Sequence, residues 1–182
     1  MLDVLMSIHQ EWIVKMAYGD KTDELRKTWP KRLPVPFRVR LYCTQVRGEE
    51  VLLLDGKGGV TLGDYQNAER GWQIGNGLVV GEFICDGRTI VTVPAKENMV
   101  TAQMLEISRT ACLDLDEIAA YLGRGKVGSA WHVRKFNIYE RPIELHRFFS
   151  PIPATAGAWA EHLERAPQSW CYIEQFTKGV GA

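Results

Sequence analysis

The amino-acid sequence predicts an α+β fold in which many short strands form a small β-barrel flanked by a few short helices. Short stretches of alternating apolar and polar residues recur along the chain, as is typical of half-buried strands. Glycine and proline turns separate these stretches, and only a few segments show the spacing of an amphipathic helix. Because strands do not alternate regularly with helices, a barrel is favoured over a doubly wound sheet.

The first elements are predicted to be a strand and a helix. Val4 to Met6 is a short apolar strand. Ser7 is expected to cap the helix that follows, because Gln10 stands three residues later, in the spacing of a capping box. Gly19 can adopt the left-handed conformation that ends a helix, and Lys21 to Arg26 then alternates like a strand.

The remaining elements are predicted to be short strands, tight turns and two helices. In chain order they are a strand over Phe37 to Thr44, a hairpin of Val51 to Leu54 with Val60 to Leu62, a hairpin of Leu78 to Cys85 with Thr89 to Val93, a helix over Asp114 to Leu122, strands within Ala130 to Tyr139, a helix opened by Pro142, and a closing strand over Ser169 to Phe176. Residues 1–182 are expected to form a single domain, with 150–168 as a loop or helical insertion before the closing strand.

Composition indicates an ordinary globular protein. Apolar residues make up 46% and charged residues 24% of the 182 positions. No stretch approaches 18 consecutive apolar residues, and no basic region opens the chain, so we expect no membrane span, no secretory signal and a cytoplasmic protein. The four cysteines lie far apart without a CxxC pair, which favours structural thiols; we expect no metal site and no cofactor.

Charge is balanced overall but unevenly distributed. From Leu25 to Gly48 the chain carries seven basic residues and no acidic one, whereas the rest has 15 basic against 22 acidic residues. A basic strip on an acidic body is typical of a surface that contacts phosphates. The alternative is a strand edge made soluble by lysine and arginine.

The densest group of polar residues follows Gly19. If a turn brings Lys21 to the side of the strand that carries Glu24 and Arg26, the three charged groups line one cleft. Such a cluster suits the edge of a nucleobase, because a carboxylate accepts from amino groups while lysine and arginine donate to carbonyl or phosphate oxygens. The alternative is a surface strand with ordinary salt bridges.

The segment resembles the Gly-x-Lys-x-x-Glu-x-Arg signature of ASCH domains, matched by Gly19, Lys21, Glu24 and Arg26 after one strand and one helix. Further stretches resemble small bacterial and phage-borne ASCH-like proteins of this length; they are Ser7 to Gln10 with Trp12, Ser129 to His132, Ile138 to Pro142 and Ala166 to Tyr172.

The resemblance implies a PUA-like barrel whose cleft beside the first helix binds RNA or modified nucleosides. Some ASCH proteins are hydrolases, and one branch removes the acetyl group of acetylcytidine with a lysine base and a threonine nucleophile. Lys21 matches that lysine, but Glu24 stands where the nucleophile is expected. Other members are ribonucleases.

We therefore expect a module that binds RNA, single-stranded nucleic acid or a nucleoside, with oligomeric state left open. The predicted ligand-binding residues are Ser7, His9, Gln10, Trp12, Lys21, Glu24, Arg26 and Trp29, and the predicted phosphate-contacting residues are Lys27, Lys31, Arg32, Arg38 and Arg40. The alternative is a hydrolase of an acetylcytidine-like amide or of single-stranded RNA, with Lys21 and Glu24 catalytic. An accessory role through protein contacts also stays open. His132 is predicted to be a hydrogen-bonded structural residue rather than an acid or base.

Overall fold

The computed structural model describes residues 1–45, 50–67, 71–96, 99–151 and 161–174. The strands are β1 (Leu2–Ile8), β2 (Asp23–Arg26), β3 (Phe37–Cys43), β4 (Glu50–Leu54), β5 (Val60–Asp64), β6 (Gln73–Ile74), β7 (Leu78–Cys85), β8 (Arg88–Thr92), β9 (Val127–His132), β10 (Arg134–Glu144) and β11 (Trp170–Glu174). The helices are α1 (Gln10–Ala17), α2 (Ala102–Ala111) and α3 (Leu115–Leu122), with single 3-10 turns at Tyr65–Asn67 and Leu145–Arg147.

The chain divides into two compact units, which are described separately. Unit 1 comprises Met1–Val14, Arg38–Phe83 and Asn137–Ala182, and unit 2 comprises Lys15–Phe37 and Ile84–Phe136. Unit 2 carries 13 Lys and Arg residues against nine Asp and Glu residues, so it is net basic within a chain of zero net charge.

Unit 1 is built on a mixed sheet with strand order β10-β7-β3-β1-β11. β1 is almost entirely buried, because it pairs in parallel with β3 on one side and antiparallel with β11 on the other. Leu5, Tyr42, Val79, Phe148 and Ile173 form a core cluster against this sheet. A second sheet, β5-β4-β6, is antiparallel and contains the predicted hairpin of β4 and β5.

Unit 2 consists of the antiparallel sheet β2-β9-β8 and the helices α2 and α3. Leu25 of β2 packs in a core cluster with Ile107 of α2 and Ile118 of α3. Both helices begin at a side-chain cap: the hydroxyl of Thr101 accepts from the backbone N–H of Met104 in α2, and a full capping box starts α3. These caps fix where the two helices begin over the sheet.

Much of the predicted secondary structure is confirmed. The first strand, the helix end at Gly19 with φ 81°, the helix over 115–122 and the closing strand are all present. The α+β class is confirmed, with mixed sheets and three helices. The barrel is not: strand pairing in the described part of the chain gives three separate sheets rather than one closed cylinder.

Three predicted elements are wrong, and in each case the pairing of strands explains the difference from the prediction. Ser7 does not cap α1, because it remains in β1 opposite Tyr42, and its hydroxyl donates to the Pro167 carbonyl at 2.6 Å. The strands around Asp86-Gly87 do not form a hairpin, because β7 belongs to the five-stranded sheet and β8 pairs with β9. Pro142 does not open a helix but lies in β10, an edge strand, where a missing N–H is tolerated.

Helix α2 is absent from the sequence-based prediction, although its Thr101 cap is a recognisable start signal. Residues 152–160 of the predicted insertion at 150–168 lie outside the described residues, and residues 161–168 contain no helix. None of the helices in the described ranges is long and apolar enough to cross a membrane.

Candidate functional site

Lys21, Glu24 and Arg26 converge on one point of unit 2. The ammonium of Lys21 lies 3.3 Å from Oε2 of Glu24, and a guanidinium nitrogen of Arg26 lies 3.0 Å from Oε1 of the same carboxylate. All three are buried, with exposed fractions of 2%, 6% and 8%. The three charged groups therefore lie together, but they are buried in the interior of the unit, and the open cleft that they are predicted to line stays a prediction. We call Lys21, Glu24 and Arg26 the charged cluster.

The backbone around β2 explains how Lys21 reaches Glu24. Lys21 lies just before the strand, where the neighbouring Thr22 N–H donates to the Thr110 carbonyl at 2.8 Å and so ties the chain to the end of α2. The Lys21 ammonium donates to the carbonyl of Ala111, in the last turn of α2. A cation is favoured there, because the carbonyl end of a helix carries partial negative charge.

The two carboxylates of β2 are incompletely hydrogen-bonded. Among the described residues, no donor forms a hydrogen bond with the buried Oδ1 of Asp23 or with the buried Oε2 of Glu24. A buried acceptor without a donor costs about 1–3 kcal/mol. These two oxygens are therefore positions where a bound donor group would be stabilised.

Aromatic rings and a further arginine lie on the Arg26 face of the sheet. The Trp29 ring contacts those of Phe37 and Trp131 edge-on, with centroids 5.3 and 5.2 Å away. The guanidinium of Arg88 lies 4.8 Å from the Trp29 centroid and donates to the hydroxyl of Ser129 at 3.0 Å.

Ser129 stands opposite Arg26 in the register of β2 and β9 and is 3% exposed. Sequence reasoning did not select Arg88 or Ser129. Their proximity to Arg26 depends on strand register, which the sequence does not reveal before the pairing is known.

Four of the predicted ligand-binding residues belong to unit 1. Ser7 is buried in β1, and Gln10 is buried with its amide joined to the Glu50 carbonyl and to Asn76. His9 is exposed and lies 3.8 Å from Glu11, and Trp12 is half-buried. Ser7 and Gln10 thus have evident structural partners, and a ligand role for these four residues stays a prediction.

The predicted phosphate-contacting residues differ in their exposure to solvent. Lys27, Lys31 and Arg32 are exposed in unit 2, where the Lys27 ammonium lies 5.2 Å from the Tyr121 ring centroid. Arg38 is exposed in unit 1, 3.6 Å from Glu82. Arg40 is buried, unlike the other four.

Arg40 is held by a network inside unit 1. Its guanidinium donates to Asp3 at 3.2 Å, to Glu82 at 3.1 Å and to the Tyr139 hydroxyl at 2.8 Å. Burial raises the pKa of the Tyr139 phenol, so the group stays neutral and donates to Glu82. Arg40 therefore has structural partners inside unit 1, and a phosphate contact for it stays a prediction.

The cysteines are free thiols. Burial raises the pKa of Cys43 and of Cys85 to about 12, and that of Cys171 to about 11, so these thiols are protonated at neutral pH. No group of three or more His, Cys, Asp or Glu side chains suited to a metal ion occurs in the described ranges.

Comparison with known proteins gives a match of fold. No protein-family profile matches this sequence, and no curated protein matches it. The crystal structure of ASCH from Zymomonas mobilis matches with a TM-score of 0.52 at 15% identity, covering 95% of this chain and 88% of that one. A serine-to-alanine mutant of the same protein matches with a TM-score of 0.54 at 16% identity, covering 95% and 89%.

Proposed function

We propose that this chain, which shares the fold of the ASCH protein of Zymomonas mobilis as its sequence motif predicts, binds RNA, another single-stranded nucleic acid or a modified nucleoside in unit 2. Glu24, Lys21 and Arg26 supply the polar contacts, Trp29 supplies a stacking surface, and Lys27, Lys31 and Arg32 contact phosphates. The observation that carries the proposal is the buried Oε2 of Glu24, which has no hydrogen-bond donor among the described residues.

Because that oxygen is buried, a nucleobase reaches it only when the side chains that cover it move aside, and its amino group is then a suitable donor. Lys21 is 3.3 Å from Oε2 without forming a hydrogen bond to it, so the carboxylate keeps capacity to accept a bond from a ligand. Cytosine and adenine carry exocyclic amino groups, and glutamate accepts from such groups in nucleic-acid complexes. Because the donor restores a missing hydrogen bond, the site would favour these bases over uracil.

The surface of unit 2 supports an anionic partner. Lys27, Lys31 and Arg32 are exposed on the segment that follows β2, and unit 2 is net basic. Each phosphate that such residues neutralise releases counterions, so affinity falls steeply as salt rises. The Arg88 guanidinium over Trp29 already uses that ring as a cation–π surface, which an incoming base can share by stacking.

Fluorescence anisotropy with labelled oligo-C, oligo-A and oligo-U RNA at low and at physiological salt tests this proposal. Glu24→Gln, which keeps size but removes the negative charge, is expected to weaken oligo-C and oligo-A binding more than oligo-U binding. Lys31→Gln and Arg32→Gln are each expected to weaken all three sequences equally and to lower the salt slope by about one.

Lys135→Gln is the matched control, because it removes one exposed charge from unit 2 at the opposite end of β9 from the residues that follow Arg26. If no oligonucleotide binds even at low salt, or if Lys135→Gln weakens binding as much as Lys31→Gln, the assignment is wrong.

A hydrolase is the second candidate. It is favoured by the 3.3 Å separation of the Lys21 ammonium and Oε2 of Glu24, which suits proton exchange between a base and an acid. Turnover of acetylcytidine or of single-stranded RNA, followed by chromatography and abolished by Lys21→Met, would support it. If neither substrate is hydrolysed, the hydrolase candidate is excluded and only the binding function remains.

A further inference from the structure

A second hydrogen-bonded group in unit 2 links Asp86, His132 and Thr89. Nδ1 of His132 lies 3.2 Å from Oδ1 of Asp86, and Nε2 of the same ring lies 3.3 Å from Oγ1 of Thr89. The three residues come from the end of β9 and from the chain entering and forming β8, and none belongs to the charged cluster.

The chemistry of the partners fixes the proton positions. An ionised carboxylate can only accept, so Nδ1 of His132 must carry the proton that bonds to Asp86. In the neutral imidazole Nε2 is then an acceptor, and the Thr89 hydroxyl donates to it. This is the order of a nucleophile, a base and an orienting carboxylate.

The surrounding backbone holds the imidazole in place. The His132 N–H donates to the Gly87 carbonyl at 3.0 Å, and a Cβ at Gly87 would lie 3.3 Å from Nδ1, so glycine allows the close approach of the ring. The Arg134 guanidinium lies 3.6 Å from the second oxygen of Asp86 and places a positive charge beside that carboxylate.

Asp23 adds a carboxylate on the face of the sheet β2-β9-β8 that carries His132. It stands opposite His132 in the register of β2 and β9, is 8% exposed, and has a buried Oδ1 without a donor among the described residues. Side chains of directly opposed residues on paired strands lie close together. The Asp23 carboxylate therefore lies on the face of the sheet that carries the His132 ring.

The group is open to small molecules. The His132 side chain is 28% exposed and that of Asp86 is 49% exposed, in contrast to Lys21 at 2%. A small substrate can therefore approach the Thr89–His132 contact without a rearrangement of the core.

We propose that Thr89, His132 and Asp86 form a site that hydrolyses carboxylic esters, independent of the nucleic-acid function. Oγ1 of Thr89 attacks the ester carbonyl carbon, and its proton passes to Nε2 of His132. The carbon–oxygen bond to the alcohol breaks, and the leaving alcohol takes that proton. Water then attacks the acyl-threonine and gives its proton to His132. The carboxylic acid departs, and the proton returns to Oγ1. Asp86 acts as a positioning residue.

The test is hydrolysis of p-nitrophenyl acetate and p-nitrophenyl butyrate by the full chain, with stopped-flow detection of nitrophenolate. Thr89→Val and His132→Gln are each expected to lower kcat/KM by about 10²–10⁴, and the double variant no further, since the two act as a unit. Thr89→Ser is expected to retain turnover. Asp86→Asn is expected to lower kcat more than it changes KM and to alter the pH profile, because an amide no longer selects the Nδ1–H tautomer.

His146→Gln is the matched control, because His146 is an exposed histidine 3.2 Å from a carboxylate, that of Glu144. It should leave turnover unchanged. Intact-mass and peptide analysis after rapid quenching should place the acetyl group on Thr89. No turnover by the wild type, an acetyl group on His132 instead, or equal activity of Thr89→Val in a protein with native circular dichroism would each overturn the proposal.

Discussion

Replacing Lys21 by methionine tests how the charged cluster is held. The substitution keeps the volume and the apolar stem of the side chain but removes the ammonium, which lies 3.3 Å from Glu24 and is 2% exposed. The cluster then keeps only the pair of Glu24 and Arg26, and it loses the hydrogen bond from the ammonium to the Ala111 carbonyl. Removing one partner of a buried ion pair costs about 3–5 kcal/mol. We expect a loss of that size in the free energy of unfolding.

The measurement is urea unfolding at room temperature, followed by the fluorescence of the tryptophans and by far-UV circular dichroism. The double variant Lys21→Met, Glu24→Gln should lose less stability than the two single variants added together, because Lys21 and Glu24 pair with each other; it should not recover fully, since Arg26 also loses its carboxylate partner. Lys31→Met is the control, because Lys31 is exposed, and it should change stability by less than about 0.5 kcal/mol. A loss below about 1 kcal/mol for Lys21→Met, or a double-variant loss equal to the sum of the single losses, would show that Lys21 and Glu24 are not coupled in the folded protein.

Three further predictions concern the rest of the molecule. Alkylation by iodoacetamide at mildly alkaline pH should be slow at Cys43, Cys85 and Cys171, because burial raises their pKa values to about 12, 12 and 11 and leaves little thiolate; mass spectrometry of the native protein checks this. Stability should fall as pH rises above 9, because the thiols of the unfolded chain have a pKa near 9, whereas burial raises the pKa of Cys43 and Cys85 in the folded protein to about 12. The urea concentration at the unfolding midpoint should decrease across that pH range, and a Cys85→Ala variant should show a smaller decrease. Asp114→Ala should lower stability by about 0.5–2 kcal/mol, because it removes the capping box of α3, whereas Asp116→Ala, two residues later, should cost less; thermal unfolding compares the two.

The sequence predicts local elements well where a local signal decides them. Gly19 ends α1, and Asp114 with Glu117 starts α3, because a left-handed glycine and a capping box involve only a few neighbouring residues. Ser7 with Gln10 has the same spacing as a capping box, yet Ser7 lies in β1. There the pairing with β3 and β11 outweighs the cap, and those partners are distant in sequence.

The candidate site is predictable in part for the same reason. Lys21, Glu24 and Arg26 lie within six residues of chain, so their convergence needs only a strand and a turn. Ser129 joins them through the pairing of β9 with β2, 103 residues apart (129 − 26), and Arg88 contacts Ser129 across another 41 residues, so no local pattern encodes either. For Arg40 the sequence predicts the strand but not the burial. The alternation of apolar and polar residues places Arg40 on a strand, whereas its side chain is buried because it pairs with the distant residues Asp3 and Glu82.

The two buried charge networks, that of Arg40 and the charged cluster, differ in whether all their buried oxygens are hydrogen-bonded. The Arg40 network of unit 1 leaves no buried side-chain oxygen or nitrogen without a hydrogen bond in the described part of the chain, whereas the charged cluster leaves Oε2 of Glu24 without one. Buried ion pairs are often no more stable than apolar side chains of the same volume, so charge alone does not explain why either network is present. The Arg40 network, whose buried polar atoms are all hydrogen-bonded, holds strands together. The charged cluster instead keeps the acceptor Oε2 of Glu24 in place without a donor, which costs stability. Glu24→Gln and Glu82→Gln should therefore both lower stability, because the first removes the charge that Lys21 and Arg26 contact and the second the charge that Arg40 and Tyr139 bind. Only Glu24→Gln should also weaken ligand binding.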